Sequence, residues 1–213
     1  HQVDAFKFTF QVFDPDDRTS EYWPSDLFDD GVNLSLGTTW AGDAFGRPST
    51  LGLSGTYSTK ERTDLQDFLL PRGLVAGTKE GSYAITLSGS HLFWESPDHP
   101  GKGLGVYFRG SVCDGNPNPF ESFIVGGIAA YGLVPERVND VIGIGYSRYE
   151  FSDDLAFAAA PLVDIDAESA VEAFYNFEVT PWFHVTANLQ WIRPGPRTFS
   201  DSWMGGLRAV VAF

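Results

Sequence analysis

The sequence predicts an all-β fold, a transmembrane antiparallel up-and-down β-barrel of about ten strands. Three observations carry that prediction. Hydrophobic residues recur at every second position, the stretches that do so run to about ten residues, and the connections between them tend to alternate between long and short. Period-two alternation gives each strand one greasy and one polar face. Roughly ten residues is the length a tilted strand needs to cross a bilayer, whereas soluble strands usually have about five or six. Long loops at one end and tight turns at the other are the habit of outer-membrane barrels.

The first stretch is Ala5–Phe13, where Phe6, Phe8, Phe10 and Val12 alternate with Lys7, Thr9 and Gln11. In residues 31–40, Val32, Leu34 and Leu36 oppose Asn33, Ser35 and Thr39, and in 50–60, Leu51, Leu53 and Tyr57 oppose Ser54, Thr56, Ser58 and Lys60. In 102–113, Leu104, Val106, Phe108 and Val112 oppose Tyr107, Arg109 and Ser111. In 170–180, Val171, Ala173, Tyr175, Phe177 and Val179 oppose Glu172, Asn176 and Glu178. In 182–192, Phe183, Val185, Ala187, Leu189 and Trp191 oppose His184, Thr186, Asn188 and Gln190; in 204–213, Leu207, Ala209, Val211 and Phe213 lie opposite Arg208. Three further strands, 82–94, 121–133 and 140–151, alternate less cleanly, and the sequence leaves their facing open.

The connections fit the same plan. Segments 14–30, 61–81 and 152–169 are long, 41–49 and 95–101 are shorter, and 180–181 is a bare turn; only 114–119 is short where a long loop is due. Every proline, Pro48 and Pro100 included, falls in a connection, as expected of a residue that cannot donate to a ladder. An even strand number puts both termini on the periplasmic side. Aromatic residues gather at strand ends, with Trp40, Phe93, Trp94, Trp182, Phe183 and Phe213 at the periplasmic rim and Tyr57, Tyr83, Tyr149, Phe151, Trp191 and Trp203 at the outer rim, which suits the bilayer interface. Helix is expected only as a weak turn within 60–70.

The chain has 213 residues, enough for one barrel domain, and no apolar run of 18 residues that would make a transmembrane helix. A net charge of −14 argues against nucleic acid, whose phosphates would be repelled. Asp14, Asp16, Asp17, Glu21, Asp26, Asp29 and Asp30 crowd one segment that holds only Arg18 as a cation, a candidate for bridging to lipopolysaccharide through divalent ions; an EF-hand loop fails there, because Arg18 and Thr19 fall on ligand and glycine positions. The single cysteine, Cys113, can form no internal disulfide, and no Cys/His spacing suggests zinc, so no cofactor is expected. The opening His1-Gln2-Val3 is no signal peptide, so a signal was removed or the chain is cut from something longer.

Four stretches resemble the carbohydrate-selective porins of the OprB type: 27–36 (LFDDGVNLSL), 112–119 (VCDGNPNP), 142–154 (IGIGYSRYEFSDD) and 171–192 (VEAFYNFEVTPWFHVTANLQWI). The closing 205–213 (GGLRAVVAF) is similar to the family's last strand and ends on a terminal aromatic of the kind the barrel assembly machinery reads. The resemblance runs through the chain in order and implies a monosaccharide-permeable pore in a Gram-negative outer membrane, in contact with its lipid and lipopolysaccharide. Family members are about twice as long and resemble sixteen-stranded barrels, so this chain corresponds to their last ten strands: part of a larger pore, or a small barrel whose inward side chains would fill most of its lumen.

A sugar pore needs hydrogen-bonding groups, a few charges and aromatic faces along a narrow wall. The polar positions supply Lys7, Gln11, Lys60, Tyr107, Arg109, Glu172, Asn176, Glu178, His184, Asn188, Gln190 and Arg208 as pore-lining candidates. Arg109 and Arg208 against Glu172 and Glu178 would set a transverse field. Each is weighed against a plain solvated or salt-bridged interior. The interface belt is assigned to Trp40, Tyr57, Tyr83, Trp182, Trp191 and Phe213. Three alternatives compete: a plugged structural or adhesive barrel, a soluble β-sandwich, and an outer-membrane acyl hydrolase built on His184 and Thr186, for which threonine is a poor match.

Overall fold

The computed structural model describes residues 5–16, 27–67 and 76–212. Their strands, in chain order, are β1 Ala5–Phe13, β2 Asn33–Ala44, β3 Arg47–Ser58, β4 Arg62–Thr63, β5 Thr78–Lys79, β6 Ser82–Ser96, β7 His99–Cys113, β8 Phe120–Tyr131, β9 Val141–Phe151, β10 Glu168–Thr180, β11 Phe183–Arg193 and β12 Ser202–Val211. A 3-10 turn at Leu65–Asp67 and one short helix, α1 Asp153–Ala159, are the helical pieces among the described residues. β4 and β5 pair only with each other. The other ten strands form one antiparallel sheet in which chain neighbours pair, from β1 at one edge to β12 at the other. β1 and β12 do not pair, so the up-and-down sheet is open.

Residues directly opposite each other in the register share a face. One lateral row runs Phe8, Thr38, Leu53, Leu87, Gly110, Ile124, Arg148, Ser169, Arg193. The next runs Phe6, Trp40, Leu51, Gly89, Phe108, Gly126, Tyr146, Val171, Trp191, Trp203. This face is apolar and turned outward, with Phe8 76% and Leu207 82% exposed, while the buried hydrophobic residues among the described ones are only Leu65, Ala130, Ala159 and Ala167. A soluble sandwich would cover such a face with a second layer. Here nothing among the described residues covers it, and lipid is the solvent in which it costs nothing.

The register also settles the three strands whose alternation was blurred. Tyr83, Ile85 and Leu87, Ile124 and Ile128, and Ile142, Ile144 and Tyr146 all fall on the apolar face. In β8 and β9 the opposite positions carry glycines and aromatic rings rather than clean polar residues, whereas in β6 the polar side is Ser82, Thr86, Ser88 and Ser90 and it is Gly89 and His91 that interrupt the apolar side; both hide the period.

Four expectations need correction. Pro48 and Pro100 lie inside strands, each as the second residue, beside a turn where few ladder bonds need its missing N–H. The connection expected over 41–49 shrinks to Phe45-Gly46, both with positive φ (55° and 74°) as a type I′ hairpin demands, so β2 runs on past Trp40 and places it inside the strand rather than at its rim. Tyr149 and Phe151 belong to the polar face, where Phe120 packs on both, with centroids 6.0 and 5.1 Å away. The 3-10 turn does fall within 60–70, but α1 stands in a segment expected as plain loop. Ser152 caps it by accepting from the Leu155 N–H at 3.3 Å, and Asp153 and Asp154 sit in its first turn against the helix dipole. Phe213 and residues 17–26 of the acidic segment lie outside the described residues.

Candidate solute-contact site on the polar face

The register places Lys7, Gln11, Tyr107, Arg109, Glu172, Asn176, Glu178, His184, Asn188, Gln190 and Arg208 on one face, opposite the apolar rows. They do not converge at one point. Lys7 and Gln11 stand on the edge strand β1, and Arg109 and Arg208 on β7 and β12. The Arg109 guanidinium lies over the Phe123 ring, 5.8 Å from its centroid. Lys60 lies beyond the strand ends, paired with Asp16.

The central group is built on one row: Tyr107, Gly127, Gly145, Glu172, Gln190. The two intervening glycines let the tyrosine lie across the sheet. A Cβ at Gly145 or Gly127 would stand 2.6 or 2.7 Å from the Tyr107 hydroxyl oxygen, closer than any real side chain allows. Glu172 is held by Asn188, whose Nδ2 donates to Oε1 at 2.6 Å. Tyr107, Val125, Gly145, Glu172 and Gln190 line a recess of about 120 Å³, room for roughly four waters at the volume each takes in the liquid. In the neighbouring row Phe174 lies over Gly143, where a Cβ would sit 2.6 Å from its ring. Phe174 was missed as a site residue, although its place two residues from both Glu172 and Asn176 puts it on their face.

A second group lies toward the short-turn end. Asn176 Nδ2 donates to Thr186 Oγ1 at 2.7 Å, Asn176 Oδ1 faces His184 Nδ1 at 3.2 Å, and His184 Nε2 stands 3.7 Å from Glu178. Asn139 donates to the other Glu178 oxygen at 2.7 Å. These groups answer one another. Thr186 Oγ1 takes its hydrogen bond from Asn176 rather than engaging His184, an arrangement that structure alone explains.

Both ends of the sheet are pinned. Beside the short turns Asp140 is buried: Arg137 donates to both its oxygens at 2.9 Å, the Tyr175 hydroxyl donates at 2.5 Å and the Glu178 N–H at 2.9 Å. Burial alone would raise its pKa; these donors win and hold it at about 2. The Arg137 guanidinium also stacks 3.6 Å from the Phe177 centroid. At the long-loop end, the Asn116 amide donates to Asp64 at 2.8 Å and Asp154 at 2.7 Å, and accepts from the Leu65 N–H at 3.1 Å. It thereby ties three loops together. The hydrogen bond from Asn116 is the main cause that lowers the pKa of Asp64; for Asp154 the Gln66 amide comes first and Asn116 second.

Of the interface aromatics, Tyr57 and Tyr83 face each other on the apolar side near the long loops, as do Trp191 and Trp203, while Trp182 occupies the β10–β11 turn, 55% exposed.

A sheet of long antiparallel strands, greasy outside and polar inside, defines the class: a strand-built outer-membrane protein. The chain belongs to the OprB family of carbohydrate-selective porins, whose family model matches residues 6–213. It is 24% identical over 189 residues to the putative porin QuiX of Acinetobacter baylyi, a match covering 79% of this chain and 41% of that protein. It is 23% identical over 194 residues to Porin B of Pseudomonas aeruginosa, covering 78% and 41%. The chain therefore spans about two fifths of the length of these relatives. The high-pH structure of Pseudomonas putida OprB superposes with a TM-score of 0.86 at 21% identity, over 98% of this chain and 56% of that one, and the low-pH structure with 0.51 at 17%, over 98% and 62%. Members of this family are outer-membrane β-barrel proteins, channels rather than enzymes.

Proposed function

We propose that the protein carrying this chain is a passive outer-membrane pore for small hydrophilic solutes, monosaccharides foremost, and that they pass along the polar face. The observation that carries this reading is the recess beside Tyr107, Glu172 and Gln190, whose polar groups border open space on the face turned away from lipid. A sugar offers hydroxyls as donors and acceptors around a ring with apolar patches. Glu172 accepts, Asn188 and Gln190 do both, and Tyr107 and Phe174 offer ring faces. Each contact is weak alone, as conduction requires: a solute must bind well enough to enter and loosely enough to leave. The names of the two relatives, both porins, support the reading. In this reading the short turns face the periplasm, the long loops face outward, and Phe213 is the residue that the assembly machinery recognises.

The test is glucose-driven swelling of liposomes holding the purified protein, beside a salt-conductance trace. Swelling with discrete conductance steps is expected. A folded, heat-modifiable barrel with neither signal would overturn the reading and leave a plugged structural barrel in its place.

A further inference from the structure

Charge clusters on the apolar face where the Phe8 row meets the long-loop rim. That row climbs as it crosses the sheet. It passes β3 and β6 well inside the strands at Leu53 and Leu87, comes near the end of β9 at Arg148, and reaches the last residue of β11 at Arg193. Arg148 Nε donates to Glu150 at 2.5 Å, Arg193 lies 3.8 Å from Asp166, and Arg197 lies 3.1 Å from Asp166 and 3.3 Å from Asp164. The side chains of Arg148 and Arg193 are 45% and 59% exposed.

The face is hollow next to Arg148. Gly110 leaves a gap between Leu87 and Ile124, and these residues with Phe108 line a groove of about 500 Å³ headed by Arg148 and Glu150. An apolar trough ending in a guanidinium matches one kind of molecule, an acyl chain joined to an anionic headgroup. We propose that the groove seats a phosphorylated glycolipid of the outer leaflet, one acyl chain along Phe108 and Ile124 and its phosphate on Arg148 and Arg193.

Three guanidiniums stand against Glu150, Asp164 and Asp166, so the patch is balanced and does not steer anions from afar. Recognition is by contact. A guanidinium has five N–H donors, so Arg148 can serve Glu150 and still present a fork to phosphate oxygens. The proposal rests on the chain being an outer-membrane barrel with its long loops at the cell surface, and is independent of solute passage.

The test is native mass spectrometry of the purified protein in mild detergent, titrated with bis-phosphorylated lipid A beside phosphatidylglycerol and phosphatidylcholine. One retained lipid A is expected. Its affinity should fall about tenfold in the Arg148→Gln/Arg193→Gln double variant, the scale of one lost charge-assisted hydrogen bond. Gly110→Leu should act the same way by filling the trough. A Cβ there meets only the Phe123 carbonyl oxygen, at 3.6 Å, so the sheet accommodates it. A heat-modifiable gel shift reports folding of each variant, and if Gly110→Leu fails to fold the arginine pair decides. Unchanged retention by the arginine pair, or phosphatidylcholine held as tightly as lipid A, overturns the proposal in favour of unselective annular lipid. Phosphatidylglycerol held as tightly as lipid A overturns the choice of a glycolipid. Glucose swelling measured on the same samples separates this result from the fate of the pore reading.

Discussion

The two polar clusters on the inner face share residue types and differ in what their hydrogen bonds face. Around His184, the groups Asn176, Thr186, Glu178 and Asn139 pair among themselves. Around Glu172, the tyrosine is laid flat over two glycines and the carboxylate takes one amide, with a recess left beside them. A polar group whose bonds are closed internally adds stability and rigidity. One that keeps bonding capacity toward open space can meet a solute. The difference lies in the floor: glycines at 127 and 145 make room, whereas the His184 group is hemmed by the turn that Asp140 and Arg137 hold.

The largest effect is expected at that turn. Asp140→Ala strands Arg137, the Tyr175 hydroxyl and the Glu178 N–H together, and should cost about 3 kcal/mol, the scale of hydrogen bonds to a charged group lost at a buried site. Urea titration of the folded protein in detergent checks it. The pH dependence follows from the same contacts. The Asp140 pKa is depressed from 3.8 to about 2 in the fold, so its contribution is fully present above pH 4 and drains away between about pH 4 and 2. Acid-induced loss of the heat-modifiable band should therefore fall in that window and move toward neutrality in Asp140→Asn. If neither change weakens the protein, the short-turn end is not what fixes the closed cluster.

Next comes the open cluster. Glu172→Ala should leave stability within about 1 kcal/mol, since one neutral amide loses its acceptor. It should lower the competitive effect of glucose on salt conductance about tenfold, the scale of a charge-assisted hydrogen bond to a solute hydroxyl. Gly145→Ala presses a methyl against the Tyr107 hydroxyl and should lower glucose flux several-fold while the sheet, which offers that Cβ its next contact only at 3.5 Å, stays folded. A large stability loss with unchanged flux would reverse the roles of the two clusters.

Much of this was legible in the sequence, and unevenly so. The apolar rows could be traced wherever the opposite face carried Lys, Gln, Asn or Glu, as in β1, β10 and β11. They blurred in β8 and β9, where Phe123, Gly127, Gly143 and Gly145 fill the polar face, because rings and glycines carry no polar signature. Two of these glycines shape the open cluster: Gly145 lines the recess and Gly127 with it leaves room for the Tyr107 ring, yet in the sequence they show only as interruptions of a period. Phe174 follows the parity of its neighbours Glu172 and Asn176, but a ring with no polar atom carries no mark of the polar face in the sequence. Strand ends were misjudged where a two-residue turn stood in for a loop, as at Phe45-Gly46, since φ of both residues, rather than their hydropathy, decides it. Which polar residues answer each other was beyond reach, since pairs such as Asn139 with Glu178 join a turn to a distant strand.

The smallest effect is the one that tests the contrast most directly. His184 lies on the same face as Glu172, and residue type alone would give it an equal claim to touch a solute. Its ring instead bridges Asn176 and Glu178. His184→Ala should therefore cost about 1 kcal/mol of stability, the net worth of one side-chain hydrogen bond, and leave glucose swelling unchanged. Asn176→Ala should cost somewhat more, because it also takes the donor from Thr186, and the double variant should cost less than the sum of the singles, since the two share one bond. Urea titration and swelling rates on the three variants give both numbers. A fall in swelling without a fall in stability would place His184 on the solute path and dissolve the distinction between a closed cluster and an open one.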